Sequence, residues 1–367
     1  MKEEKHTCDI CHEERDLSEL TYFDESYLCE DCLRRETFIC RDCGDRHWND
    51  DSADGDLCQT CYDEDYVRCE RCDAVIHYDD ACYHEDEEYH DYPYCRDCFD
   101  MDEIIHDYYY KPEPIFYGDG PRYLGVELEL DDGGENEFCA SKLLEIANNG
   151  CERMYIKHDG SLDDGFECVT HPMTLDYHIN QMPWKAILNK AVAKGYLSHQ
   201  AGTCGLHVHI SRNALGVNYE EQEATIAKIL YFYEKFWNEI LTFSRRTESQ
   251  VEHWARRYGG GIINPKETLK HAKNSHMGRY AAVNLENEAT IEMRIFRGTL
   301  KYNTFIATLQ MVDEICKVAI SLSDEFMQGL TWLDFVKGIA DGKQELINYL
   351  KEKRLYVNEP IRNEVEI

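Results

Sequence analysis

Four short segments of this chain set carboxylate, imidazole and guanidinium groups at spacings that could do chemistry. Three alternate with apolar residues: Gly125-Val-Glu-Leu-Glu-Leu130 carries Glu127 and Glu129, Leu206-His-Val-His-Ile-Ser211 carries His207, His209 and Ser211, and Ile291-Glu-Met-Arg-Ile295 carries Glu292 and Arg294. The fourth, His158-Asp-Gly-Ser-Leu-Asp-Asp-Gly-Phe-Glu167, reads as a Gly-rich hairpin with Asp159 and Glu167 on its two arms. Alone, a Glu-x-Glu is ordinarily a solvated strand face and a His-x-His is ordinarily incidental. Together they put many charges on one sheet face, which calls for a bound ion. Oxygen-rich groups with an imidazole suit Mg²⁺ or Mn²⁺ better than Zn²⁺. Arg294 and Arg297 beside them suit a phosphate gripped by metal and guanidinium together.

A second chemistry sits in the first 110 residues, which hold thirteen of the 18 cysteines. Twelve form C-x-x-C pairs: Cys8/Cys11, Cys29/Cys32, Cys40/Cys43, Cys58/Cys61, Cys69/Cys72 and Cys95/Cys98. Two such turns complete a four-thiolate zinc site. Disulfides are the competing reading, disfavoured by the regular pairing and by a start (Met1-Lys-Glu-Glu-Lys5) without an apolar signal stretch. Spacing parses the pairs into three modules, about 1–36, 37–65 and 66–110, each expected to hold one Zn²⁺ and to need it for folding. Sequential pairing of neighbouring turns is preferred over a cross-braced order that would use the same ligands. Each second pair opens a possible helix, an order resembling treble-clef or zinc-ribbon modules. His12, His47, His77, His84, His90 and Cys82 are expected at the surface or beside the ligands.

The elements that must position these groups follow from periodicity. Alternation predicts strands in which Glu127 and Glu129, His207 and His209, and Glu292 and Arg294 each share a face, opposite Val126, Leu128 and Leu130 and their counterparts. Ile226, Ile229, Leu230, Tyr233, Phe236, Trp237, Ile240 and Leu241 make a core stripe on a long helix, and Phe305, Leu309, Val312, Cys316 and Ala319 trace another. The segment from Thr331 reads as helical. Arg245 and Arg246 at a helix end suit the macrodipole, with a nucleotide contact left open, and Gly259-Gly-Gly261 is a candidate lid. Cys139, Cys151, Cys168, Cys204 and Cys316 lack paired spacing. The fold class is α+β: an antiparallel sheet packed with long helices, preceded by three zinc modules. Residues 111–122 are expected to link the cysteine region to a catalytic domain at 123–367.

Composition narrows the partners. The net charge is −33 and residues 1–110 alone hold 35 acidic against 10 basic side chains, so nucleic acid is disfavoured. No apolar run is long enough to span a membrane, and a cytoplasmic location is expected. The acidic zinc region reads as a protein-docking platform or as a scaffold extending its neighbour.

The order of these motifs, with Lys157-His-Asp-Gly-Ser-Leu162, Arg279-Tyr-Ala-Ala-Val-Asn284 and Arg297-Gly-Thr-Leu300, resembles the amidoligase family of carboxylate–amine ligases, within the glutamine synthetase-like superfamily. The similarity runs from about Tyr123 to Asn303. It implies that ATP phosphorylates a carboxylate and an amine displaces phosphate from the acyl phosphate, giving an amide or isopeptide bond. It further implies two Mg²⁺ (or Mn²⁺) sites, one on Glu127, His207 and Glu292 and one on Glu129, Asp159 and Glu167, the last two ligands flanking the turn. Asp159 stands where the synthetases carry a longer Glu, so water would complete its reach. Arg294, Arg279 and Arg297 would neutralise the phosphoryl group in flight, and His209 and Ser211 would contact nucleotide phosphates. The zinc modules would then recruit a protein or peptide substrate or partner. Two alternatives stay open: a phosphotransferase of the same fold acting on a guanidino group, or a zinc-module adaptor with a non-catalytic ligase-like domain. Oligomeric state and the identity of both substrates are open as well.

Overall fold

The computed structural model describes residues 5–83, 92–99, 104–259, 264–275 and 277–356. His84, His90, Gly260 and Gly261 lie outside them. The chain divides into two compact units, 1–102 and 103–367.

The first unit uses one plan three times. In the first copy the strand Lys5–Thr7 leads into the Cys8/Cys11 turn and returns as Glu14–Asp16. A one-turn helix (Leu17–Glu19), a hairpin (Leu20–Phe23 with Ser26–Cys29) and a helix, Glu30–Glu36, complete it. The second copy repeats the order from Thr37–Ile39 to the helix Gln59–Asp65. The third runs from Tyr66–Arg68 to Arg96–Phe99, with Cys82 and Tyr94 bridged in place of the hairpin. The first strands of the second and third copies start at Thr37 and Tyr66. The apolar centre of each is small: Leu28 with Cys8, Cys29 and Cys32, Leu57 with Cys40, Cys58 and Cys61, and Tyr94 with Cys69 and Cys98. Cysteines thus make up most of what each copy buries.

The second unit is built on a seven-stranded sheet whose strands, in chain order, are β1 Ile105–His106, β2 Leu124–Leu130, β3 Met154–Lys157, β4 Phe166–Thr170, β5 Leu206–Ser211, β6 Val283–Asn284 and β7 Thr290–Met293. Their spatial order is β1-β3-β4-β2-β5-β7-β6. Every pairing is antiparallel except β1 with β3, so the sheet is mixed where a wholly antiparallel one is expected. The α+β class holds. Residues 104–110, near the cysteines in sequence, belong to this unit through β1.

Alternation works as expected. Val126, Leu128, Leu130, Leu206, Val208, Ile210, Ile291 and Met293 are buried on one face and join a single core with the helices Glu137–Asn148, Trp184–Ala193, Tyr219–Lys235 and Tyr302–Ser321. The Trp184 and Phe305 rings pack with centroids 4.3 Å apart, their planes tilted, across two of these helices. The expected long helix is broken at Phe236, whose ψ of 34° ends Tyr219–Lys235 and starts Trp237–Ser244, yet its stripe stays inside. Beyond Thr331 the chain forms helices Trp332–Lys337 and Gln344–Glu352. No helix among the described residues is long and apolar enough to cross a membrane.

The turn before β4 is pressed against β2: a Cβ on Gly165 would lie 1.9 Å from the Leu130 carbonyl oxygen. Gly165→Ala must therefore push β4, and Glu167 with it, away from β2. We expect a loss of about 2 kcal/mol or more in urea unfolding. Gly329→Ala, where a Cβ meets nothing, should be close to neutral. An unchanged midpoint for Gly165→Ala would contradict the close approach.

Candidate active site

Strand register aligns the charged groups in three rows across the polar face of the sheet. Lys157, Glu167 and Glu129 are directly opposite one another on β3, β4 and β2. The next row holds Tyr155, Val169, Glu127 and His207. Gly125, His209, Glu292 and Asn284 form the third, across β2, β5, β7 and β6. Directly opposed side chains on neighbouring strands stand about 5 Å apart at Cβ, so the rows bring the carboxylates together without any long-range loop.

His207 lies at the centre. Its Nδ1 is 3.3 Å from Glu127 Oε2 and 3.6 Å from Glu292 Oε1, while Nε2 is 3.6 Å from Glu129 Oε1. His209 Nε2 approaches Glu127 Oε1 at 3.1 Å. Two triads have ligand atoms all within 4.8 Å of one another: Glu127, His207 and Glu292, and Glu129, Glu167 and His207. Octahedral oxygen ligands about 2.1 Å from Mg²⁺ are separated by about 3 to 4.2 Å, and the distances of 3.3 and 3.6 Å from His207 to its carboxylates fall in that range. The first is the expected set. In the second, His207 rather than Asp159 completes the cluster. Asp159 sits just past β3, its Oδ1 accepting from the Ser161 N–H at 2.7 Å, and its charge is felt by both Glu129 and Glu167.

Electrostatics separate the carboxylates. Burial pushes Glu127 up, but His209 and His207 outweigh it and hold Glu127 well below the usual carboxylate range. Burial raises Glu129 despite His207 beside it. Glu167 is raised well above its usual value by burial and by the neighbouring Glu127, against the pull of Lys157, whose Nζ is 3.1 Å away. Glu292 accepts from Asn284 Nδ2 at 2.8 Å and from Arg294 Nη1 at 2.5 Å.

A cavity of about 1100 Å³ opens over this face, lined by Glu127, Glu129, Asp159, Glu167, His207, His209, Arg279 and Arg294 among others. Arg279 reaches it from the turn Gly278–Tyr280, held by the Tyr108 and Tyr280 hydroxyls at 2.5 and 3.2 Å. Two expected residues lie elsewhere. Ser211 is opposite Thr290 at the far end of β5 and does not line this cavity, and Arg297 opens onto a different one. Sequence reasoning assigned no role to Lys157, Tyr108 or Tyr109, and read Arg246 as a helix-end cation with a nucleotide contact left open. Lys157 ends β3 against Glu167, and Tyr108 and Tyr109 follow β1 into the cavity. Arg246 is buried, with Nε and Nη1 lacking a protein partner and Nη2 reaching only the Phe296 carbonyl at 3.5 Å. Its shift to about 10 is set by burial first, opposed by Glu129. Gly205 makes room for it: a Cβ there would strike His207 Nε2 and Arg246 Nη2 at 2.3 and 3.1 Å.

In the first unit, the twelve paired cysteines gather as three sets, Cys8/Cys11/Cys29/Cys32, Cys40/Cys43/Cys58/Cys61 and Cys69/Cys72/Cys95/Cys98, the sequential order. Cys11 and Cys29 sulfurs are 3.9 Å apart and those of Cys72 and Cys95 are 3.8 Å apart. The edge of a tetrahedron with Zn–S of about 2.3 Å is about 3.8 Å, so the spacing fits zinc. Burial raises Cys8 and Cys40, but backbone N–H donors outweigh it and hold both thiols at about 6. His47 Nε2 lies 3.7 Å from Cys43 Sγ as a neighbour of a ligand, and His77 turns to the Asp79 N–H.

Residues 146–316, just under half of the chain, match the family model described as "Putative amidoligase enzyme". The resemblance to amidoligases is therefore present in the chain, though β2 with Glu127 and Glu129 precedes the matched range. Among solved structures, a bifunctional glutathione synthetase from Pasteurella multocida is similar at 13% identity and a TM-score of 0.32 over 65% of this chain. The similar region spans 45% of that synthetase's length. No curated protein matches the chain.

Two measurements probe these sites. Native mass spectrometry should find three zinc ions per chain, and Cys29→Ser with Cys32→Ser should remove one of them. Six disulfides, or no zinc, would contradict the cluster reading. In the second unit, Glu129 and Glu167 have folded-state pKa values raised above the ordinary 4.5, so they destabilise the metal-free fold as pH rises through those values. Glu127, held lower, contributes stability that is lost as pH falls through its depressed value. Added Mn²⁺ should therefore raise the melting temperature by about 5 °C near pH 8 and by much less near pH 5. An equal gain at both would contradict a carboxylate-bound ion.

Proposed function

We propose that the protein is an ATP-dependent carboxylate–amine ligase with a glutamine synthetase-like catalytic domain. The observation that carries this reading is the pair of carboxylate–histidine triads on one sheet face, bordered by Arg294, Arg246 and Lys157 and open to a cavity of small-molecule size. The similarity to the amidoligase family supports it.

In this reading Glu127, His207 and Glu292 hold one divalent ion, and Glu129 and Glu167 hold a second, with Asp159 reaching it through water. The ions supply charge neutralisation for ATP phosphates and for the phosphoryl group in transfer. Arg294 and Arg246 set fixed positive charge on the same side, and Arg246 has two N–H groups free for an oxyanion. His209, between Glu127 and Thr290 Oγ1, faces the phosphates. Lys157 keeps Glu167 ionised when the second ion is bound. Arg279, tethered by Tyr108, stands at the cavity wall to meet the substrate carboxylate. An acyl phosphate formed there is attacked by the amine, giving an amide and inorganic phosphate. Little covalent chemistry is asked of the chain, because catalysis here is positioning and electrostatics. The three zinc modules, acidic and repeated, fit recruitment of a protein or peptide substrate.

The test is product formation. Given its acceptor pair, the protein should release ADP and phosphate with loss of water between the substrates. Glu127→Gln and Glu292→Gln should each reduce turnover by about 10³-fold or more, and Arg246→Gln by about 10²-fold, with smaller effects on KM. A phosphorylated product without condensation would favour the phosphotransferase reading, and full activity of both Gln variants would reject the site. Removal of residues 1–102 should raise KM for a macromolecular substrate; an unchanged KM would deprive the modules of a recruiting role.

A further inference from the structure

The second unit holds another cavity, about 820 Å³, whose wall includes His199, Arg245, Arg297, Lys301, Lys353 and Glu352. Four cations face one carboxylate in a chain whose net charge is −33. That carboxylate is already shared, since Glu352 is 3.2 Å from Lys301 Nζ and 3.6 Å from Lys353 Nζ. Arg245 and Arg297 have no carboxylate within ion-pair distance among the described residues. Buried Arg245 Nε, Arg297 Nε and His199 Nδ1 lack hydrogen-bond partners, an expensive state for polar atoms unless a ligand satisfies them. Arg245 donates to the Arg297 carbonyl and reaches the Tyr349 hydroxyl at 3.4 Å, which fixes its plane at the wall.

Backbone geometry shows how the chain divides its cations. Arg245 has a left-handed backbone (φ 67°) just past the helix Trp237–Ser244. The turn sends Arg245 into this cavity and its neighbour Arg246 into the metal-facing one. The potential registers on His199, held below its usual range first by burial and then by Arg297, Arg245 and Lys353. Tyr196, Leu197, Leu300 and Tyr349 supply apolar wall, and the volume far exceeds one inorganic ion.

We infer that this cavity is a binding site for a small molecule carrying two or more negative charges, as phosphate or carboxylate groups on a partly apolar body, recognised by Arg245, Arg297 and Lys353. The inference is independent of the proposed ligase reading, because it uses none of the metal-facing residues.

Calorimetric titration of the full chain, in chelator and at fixed chloride, with pyrophosphate in one arm and citrate in the other tests it. At least one should bind, and which one binds tells phosphate from carboxylate. Arg297→Gln and Lys353→Gln should each weaken binding by about tenfold or more, while Arg246→Gln leaves it unchanged. Lys353, at the cavity rim, guards against misfolding as the cause of a loss, and melting curves of both variants confirm it. Binding by neither probe overturns the inference, as does binding that survives both substitutions or that is lost only in Arg246→Gln.

Discussion

The constraint on which the second unit depends is the burial of like charge. Glu127, Glu129, Glu167 and Glu292 crowd one face of a sheet, three of them almost wholly out of solvent. Carboxylates so placed are costly unless cations and donors surround them. Lys157, Arg246 and Arg294 supply fixed positive charge, Asn284 and the Gly205 N–H supply donors, and two histidines stand between. That set compensates the carboxylates incompletely, as the raised positions of Glu129 and Glu167 record. In the proposed reading, divalent cations would complete it. The opposite face of the same strands is almost wholly apolar, and its burial against the long helices offsets the cost of the charged face.

Much of this was legible in the sequence because a strand's period is two and its faces therefore separate by chemistry. Glu127 with Glu129, His207 with His209 and Glu292 with Arg294 needed only alternation to be paired correctly. Cysteine spacing likewise grouped the twelve paired cysteines into the three sets that gather in space. What stayed hidden depends on tertiary placement. Arg246 looked like any cation at a helix end; only the packed structure shows its guanidinium buried beside His207. Arg297 lies three residues past Arg294, but β7 ends at Met293, so alternation no longer predicts its direction and the chain carries it to another cavity. Tyr108 and Tyr109 sit in an aromatic run shortly after the last paired cysteine, and the two-residue β1 that brings them to the site is too short to show a period. The parallel pairing of β1 with β3 was invisible for the same reason.

Charge is distributed by rule in this molecule rather than by balance. A chain strongly negative overall places cations at both cavities of its second unit, and the adjacent Arg245 and Arg246 serve one each. The three cysteine modules, with almost no apolar centre of their own, spend their cysteines as core and as ligand set at once. In both units, then, side chains that a conventional core would exclude are grouped at spacings that groups of opposite character or a metal ion could satisfy.

The most direct test of the central claim is a crystal of the protein grown with Mn²⁺ and a non-hydrolysable ATP analogue, examined by anomalous scattering at the manganese edge. The account predicts two manganese peaks over the sheet, one bonded to Glu127, His207 and Glu292 and one to Glu129 and Glu167, with the analogue's terminal phosphate between them and Arg246 within hydrogen-bond distance. Absence of manganese from that face, or a nucleotide bound away from it, would contradict the account.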